Sequence, residues 1–225
     1  MKSQNLVRDM KLKGFTLTEM AVVLVIVSLL IGSLLIPLGT QQEMRYRSET
    51  EKNLAEIRDA LLGYALLNKK LPCPMPKSVT DPTDANYGVA ASSCSPGTEG
   101  YLPWKTLGVR EVDAWGTPRS NATDSFSGYW LYRVDVNFTN TISISTAAAS
   151  SISIKDNNNN ALTGSSEPPI AVVFSTGANR TADGLNGDST PDVYQSGEVT
   201  STFDDMLIWL SRPLIFSRMV AAGQL

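Results

Sequence analysis

The chain has 225 residues, of which 42% are hydrophobic and only 18% charged, and this suits one ordinary domain plus a membrane segment. It contains no histidine, which removes both the commonest general base and the commonest transition-metal ligand. A net charge of −3 gives no support for nucleic-acid binding. The composition favours an exported surface protein over a cytosolic enzyme.

The first predicted element is an apolar helix behind a basic leader. From Met20 to Leu38 the only polar side chains are two serines, so the run is long enough to cross a hydrocarbon core about 30 Å thick. Basic residues outnumber acids before it, which keeps the N-terminus cytoplasmic. One carboxylate, Glu19, stands at the start of the helix, although a carboxylate within a membrane helix costs up to about 3 kcal/mol by insertion scales. A cleaved signal peptide is an alternative, although no small-x-small cleavage site follows.

The helix is predicted to continue to about Asn68 as an amphipathic segment. Past Gly39, apolar residues recur at three- and four-residue steps with charges off the stripe. The stripe consists of Leu54, Ile57, Leu61 and Ala65. Three prolines within residues 72–76 then end the helix.

A small antiparallel sheet is predicted after a loop-rich region. Alternating or buried apolar stretches predict strands in "GYWLYRVDVNF", "PPIAVVFSTG" and "DDMLIWLS", with weaker signals in "TISIST" and "SISIKD". A short helix should begin at Pro213. Cys73 and Cys94 fit one disulfide in an oxidising compartment, and a pair of free buried thiols is the alternative. The fold class is therefore α+β, with a long N-terminal helix packed on the sheet.

The octamer "KGFTLTEM" resembles the prepilin leader of type IV pilins and type II secretion pseudopilins. The resemblance implies cleavage by prepilin peptidase after Gly14, N-methylation of the new N-terminus at Phe15, and retention of Glu19. Cleavage would leave an α-amine on Phe15, which is largely cationic at neutral pH. Glu19 could pair with that amine, or with the one on a neighbouring subunit, and so set the register between apolar helices. A glutamate that snorkels to lipid headgroups is the alternative.

A glycine-rich acidic loop near residue 185 is the one candidate metal site. Its oxygen donors suit a hard cation such as Ca²⁺, although the spacing is not that of an EF-hand. The candidate ligands are Asp183, Asn186, Asp188 and Asp192. The loop resembles the calcium loop of major pseudopilins, but departs from it at Asn179 and Arg180. A solvated turn-rich loop is an equal alternative, and no cofactor is required.

These features together predict a structural subunit and no enzyme. The predicted segments are a removed leader (1–14), a transmembrane or filament-core helix (15–38), an amphipathic helix that continues into the head (39–68) and the globular head (69–225). The subunit would wait in the bacterial inner membrane and then join a periplasmic or extracellular filament. Its partners would be other pilin or pseudopilin subunits, prepilin peptidase and the inner-membrane assembly machinery. The length of the globular part favours a minor subunit. The alternative is a membrane-tethered periplasmic binding protein that does not polymerise.

Overall fold

The computed structural model describes residues 14–187 and 192–225, and the side chains of residues 33–38 lie outside that description. The chain forms two compact units, residues 1–44 and residues 45–225. We call residues 45–225 the head.

One long helix, α1, spans Leu17–Asn68 and so belongs to both units. In the first unit every described side chain from 14 to 32 is exposed, including Leu29 at 69%. A helix that is apolar on all sides needs apolar surroundings. Within the described residues, no helix combines the length and the apolar character that crossing a membrane requires. The predicted span at 15–38 falls partly on side chains outside the description, and it stays a prediction.

The head packs a small sheet against the C-terminal part of α1. The other elements are β1 (Glu99–Tyr101), α2 (Trp104–Leu107), β2 (Leu131–Val134), β3 (Ser153–Lys155), β4 (Pro169–Ser175), β5 (Val193–Gln195), β6 (Met206–Ser211) and α3 (Arg212–Ala221). Four strands form an antiparallel sheet in the order β1-β2-β4-β6. Strands β3 and β5 form a separate parallel pair. The α+β class predicted from the sequence is confirmed.

The core lies where α1 meets the sheet. The four predicted stripe residues of α1 are each at most 3% exposed, and they share one cluster with residues of β2, β4 and α3. All seven residues of β4 are buried, because it lies between two strands and is covered on both faces. Val173 faces the α1 cluster, whereas Val172 and Phe174 face a second cluster beside β3 and β5. The periodic and buried stretches of the sequence therefore form the core, as expected.

The two weaker alternating stretches differ in outcome. "SISIKD" supplies β3, but "TISIST" forms a turn, so the prediction of a strand there is wrong. In that turn Ser143 N donates to Thr146 Oγ1 at 2.9 Å, and Thr146 N donates to Ser143 O at 2.9 Å. Hydroxyl side chains that bond the local backbone compete with strand pairing. The three-residue strands β1 and β5 were not predicted.

A disulfide joins Cys73 to Cys94, with Cα atoms 5.7 Å apart, as the cysteine count predicts. The loop that it closes is packed from inside, because Met75 and Tyr87 are 0% and 2% exposed. They lie in an aromatic cluster with Trp104. The bridge thus closes a loop that has its own small core.

A buried carboxylate, that of Asp113, organises the turn at residues 113–116. Asp113 Oδ1 accepts from the backbone N–H groups of Trp115, at 3.0 Å, and Gly116, at 2.7 Å. Its Oδ2 accepts from Ser175 Oγ on β4 at 2.5 Å. Burial raises the pKa of Asp113, and these hydrogen bonds oppose that rise. The turn is therefore tied to the centre of the sheet.

The loop around this turn also contacts residues 46–50, the first part of α1 that lies within the head. We call residues 110–116 the helix clamp. Its contacts are the Arg110–Glu49 ion pair at 2.5 Å, the hydrogen bond from Ala114 N to Thr50 Oγ1 at 3.3 Å, and the edge-on pair of Trp115 with Tyr46 at 6.0 Å between centroids. Residues 46–50 are therefore held against the rest of the head, and the predicted segment bounds stay predictions.

Candidate functional sites

The predicted processing point lies just before α1. Gly14, Phe15 and Thr16 have no regular secondary structure, and the Phe15 side chain is 79% exposed. A peptide bond outside helices and strands is open to a peptidase. The local geometry at Gly14–Phe15 is compatible with the predicted cleavage.

Glu19 lies in the first turn of α1, where it forms a capping box with Thr16. Thr16 N and Thr16 Oγ1 each donate to Glu19 Oε2 at 2.8 Å, and Glu19 N donates to Thr16 Oγ1 at 3.2 Å. Such a box satisfies N–H groups that have no partner inside the helix. The Thr-x-x-Glu spacing is the sequence signal that identifies it. Glu19 therefore has a local role in starting the helix, in addition to its predicted role in assembly.

Three carboxylates meet at the base of β6. One oxygen from each of Asp183, Asp204 and Asp205 lies within 4.8 Å of the others. We call these residues the acidic cluster. Two oxygens bound to the same Ca²⁺ can lie up to about 5 Å apart, because each is 2.3–2.6 Å from the ion. The spacing of the acidic cluster fits one such cation.

Backbone hydrogen bonds hold the acidic cluster together despite its charge. Asp183 N donates to Asp205 Oδ2 at 2.9 Å, and Asp204 N donates to Asp183 Oδ2 at 3.0 Å. Gly177 allows Asp204 to approach, because its φ is +62° and a Cβ there would collide with Asp204. The backbone hydrogen bonds and the glycine at position 177 thus bring these carboxylates close together.

Two oxygens of the acidic cluster lack a donor. The Oδ1 atoms of Asp204 and Asp205 are buried and accept no hydrogen bond from any residue that the structure describes, and Asp205 is only 4% exposed. Burial, together with the negative charges of Asp183 and Asp204, raises the pKa of Asp205 to about 7. A buried carboxylate oxygen with no donor is costly. A bound cation would supply the missing partner.

Only part of the predicted ligand set lies at this cluster. Asp183 belongs to it, and Asn186 supports it by donating from Nδ2 to Asp205 Oδ2 at 2.9 Å. Asp188 lies outside the described residues. Asp204 was not among the predicted ligands, although the adjacent pair "DD" before a predicted strand was a signal that could have found both carboxylates.

Asp192, the fourth predicted ligand, is engaged elsewhere. Its Oδ1 lies 2.6 Å from Nη2 of Arg133 on β2. The Arg133 side chain is 3% exposed and that of Asp192 is 18% exposed, so this is a largely buried ion pair. Asp192 therefore joins the region of β5 to the main sheet and is not part of the acidic cluster.

Comparison with known proteins gives one match. Residues 9–35 match a family model described as the prokaryotic N-terminal methylation motif. Comparisons with curated proteins and with solved structures give no match. The matched range includes Gly14, Phe15 and Glu19, the residues on which the predicted resemblance rests. The chain thus carries, ahead of an α+β head, the methylation motif that is the signature of type IV pilins and pseudopilins.

Proposed function

We propose that this chain is a structural subunit of a type IV pilus or a type II secretion pseudopilus. It is cut after Gly14, methylated on Phe15 and polymerised through α1. The methylation motif at residues 9–35 is the observation that supports this most directly. The exposed apolar surface from residue 14 to 32 adds support, because a surface of this kind requires a membrane or neighbouring helices to cover it.

The proposed life of the subunit has two stages. It first sits in the inner membrane with its N-terminus in the cytoplasm, where prepilin peptidase reaches the leader. It then passes into a periplasmic or extracellular filament through the assembly machinery, beside other pilin or pseudopilin subunits. The long head with its Ser-, Thr- and Asn-rich loops favours a minor subunit. The fraction of sheared-filament subunits that are copies of this chain would show whether it is a minor subunit.

Replacing Gly14 with valine should block processing, because the peptidase needs a residue without a side chain before the cut. We expect the full-length chain to accumulate in the inner membrane, whereas the unaltered chain yields a mature form that begins with N-methylated Phe15. Mass spectrometry of the N-terminus distinguishes the two. A mature form beginning at Met1 would favour the tethered binding protein, and one beginning near Thr40 would indicate a secreted protein.

We also propose that the acidic cluster of the head holds a structural Ca²⁺. The buried Oδ1 atoms of Asp204 and Asp205 support this, because no residue within 14–187 or 192–225 donates a hydrogen bond to them. Three carboxylates supply part of the six to eight oxygens that Ca²⁺ prefers, and backbone carbonyls and water would complete the shell. Bound calcium would fix the loop after β4 to the start of β6.

Calcium at a hundredfold excess over its Kd should stabilise the head fragment 45–225 by about 2.7 kcal/mol. For a domain of this size the melting temperature should rise by about 5–10 °C. Asp204→Asn should abolish the shift, whereas Asp156→Asn, which makes the same change at a half-buried carboxylate in another loop, should preserve it. Mg²⁺ should give a smaller shift because it demands octahedral geometry. Identical melting curves with calcium and with chelator would refute the site.

A further inference from the structure

Two clefts of opposite charge border α1 in the head. The basic cleft, of about 350 Å³, contains three cations and two carboxylates; it is lined by Arg45, Ser48, Glu49, Lys52, Asn53, Glu56 and Arg110. The acidic cleft, of about 340 Å³, is lined by Arg47, Glu51, Leu54, residues 196–199 and residues 205–208. Even without Asp205, which belongs to the acidic cluster, its carboxylates on Glu51 and Glu198 outnumber its one cation. The head thus presents one net positive and one net negative recess.

The two clefts use different faces of the same stretch of helix. At 3.6 residues per turn, positions 45, 49, 52 and 56 share one face. Positions 47, 51 and 54 share another, about 160° away around the helix axis. Both sets begin at the first turns of the head, so the clefts lie at similar heights along α1. A molecule that carries complementary surfaces on opposite sides can bind a copy of itself repeatedly.

Each cleft offers groups that lack a partner within the part of the chain that the structure describes. The basic cleft offers the guanidinium of Arg45. Arg45 is exposed and forms no ion pair there. In the acidic cleft, the exposed carboxylates of Glu51 and Glu198 likewise have no cationic partner among the described residues. The basic cleft thus exposes a cation that the carboxylates of the acidic cleft can pair with.

We propose that the basic cleft of one copy of this chain docks against the acidic cleft of the next copy. The contact is head-to-tail, so it does not close as a dimer; in a filament, where the rotation between copies does not close into a ring, it extends as a helical array. This inference rests on the proposed function, and it identifies the head surfaces through which neighbouring copies meet. It also requires that copies of this chain lie next to one another in the filament, whatever their abundance.

Disulfide cross-linking of the assembled full-length chain tests the contact. Ser48→Cys places a thiol in the basic cleft and Val199→Cys places one in the acidic cleft, and both positions are exposed. The double variant should form a ladder of cross-linked multimers on oxidation, whereas each single variant should stay monomeric. Dimers from a single variant would show a symmetric contact, and filaments without cross-links would show that other surfaces meet. Either result overturns the proposal.

Charge reversal provides a second, independent test of the docking contact. Arg45→Glu and Glu198→Arg should each lower the amount of chain in sheared filaments by about tenfold, because like charges would face each other. The two changes combined should restore incorporation. Lys70→Glu is the matched control, because it makes the same charge change on an exposed residue outside both clefts. A combined variant no better than the single variants would overturn the pairing.

The same experiments separate this proposal from the one on which it rests. If the unaltered chain is neither methylated on Phe15 nor found in filaments, the proposed function fails and the docking contact fails with it. If methylated chain enters filaments but the ladder and the charge rescue are absent, only the docking contact fails.

Discussion

Glu19→Ala is expected to leave cleavage intact but to reduce incorporation into filaments by about tenfold, the ratio that a loss of about 1.4 kcal/mol produces. The physical reason is the loss of a carboxylate that, in the proposed filament, would pair with a subunit's α-amine in apolar surroundings. Quantitative immunoblots of sheared filaments and of membranes measure incorporation, and mass spectrometry of the N-terminus confirms cleavage.

The capping box makes a sharper comparison possible. Glu19→Gln keeps a side chain that can cap the helix but removes the charge, whereas Thr16→Ala weakens the cap and keeps the charge. If the charge sets the register, Glu19→Gln should assemble as poorly as Glu19→Ala, and Thr16→Ala should assemble nearly normally. The opposite ranking would mean that Glu19 matters only for starting the helix.

Asp192→Asn is expected to destabilise the head fragment 45–225 by about 3 kcal/mol, because it leaves the Arg133 guanidinium buried without a counter-charge. Asparagine tolerates the left-handed backbone at this position, where φ is +65°, so the change isolates the effect of the charge. The melting temperature should fall by about 6–12 °C. Thermal denaturation followed by circular dichroism measures the change.

Two controls identify the source of this loss. Arg133→Met combined with Asp192→Asn should recover most of the stability, because no unpaired charge then remains in the interior. The calcium-induced rise in melting temperature should be as large in Asp192→Asn as in the unaltered head, since Asp192 is not in the acidic cluster. If Asp192→Asn abolished the calcium-induced rise in melting temperature, Asp192 would have to be a calcium ligand.

The parts of the fold that were predictable are those with a long, regular signal. The stripe from Leu54 to Ala65 and the continuous apolar run of β4 each repeat a pattern over several residues, so burial on α1 and in the sheet centre could be expected. Strands β1 and β5 contain three residues each, too few to show alternation. Their existence depends on pairing partners that are distant in sequence.

The sequence predicted the loop that contains the candidate metal site, but not the full set of its ligands. Asp183 was identified because its loop is rich in glycine and oxygen donors. Asp204 and Asp205 lie about 20 residues further on and reach it through the turn at Gly177 and the register of β6 against β4. Asp192 lies closer in sequence, but a buried arginine on β2 takes its carboxylate. Spacing along the chain does not reveal either effect.

The helix clamp also determines how the head would bear mechanical load. The clamp contacts Tyr46, Glu49 and Thr50 through an aromatic pair, an ion pair and a hydrogen bond. These three residues lie within little more than one turn of α1. A pull along the helix axis acts on these contacts sideways, in shear, so they share the force instead of peeling apart one after another. In the proposed filament, the loop at residues 110–116 would therefore stay bound to α1 when the filament is stretched.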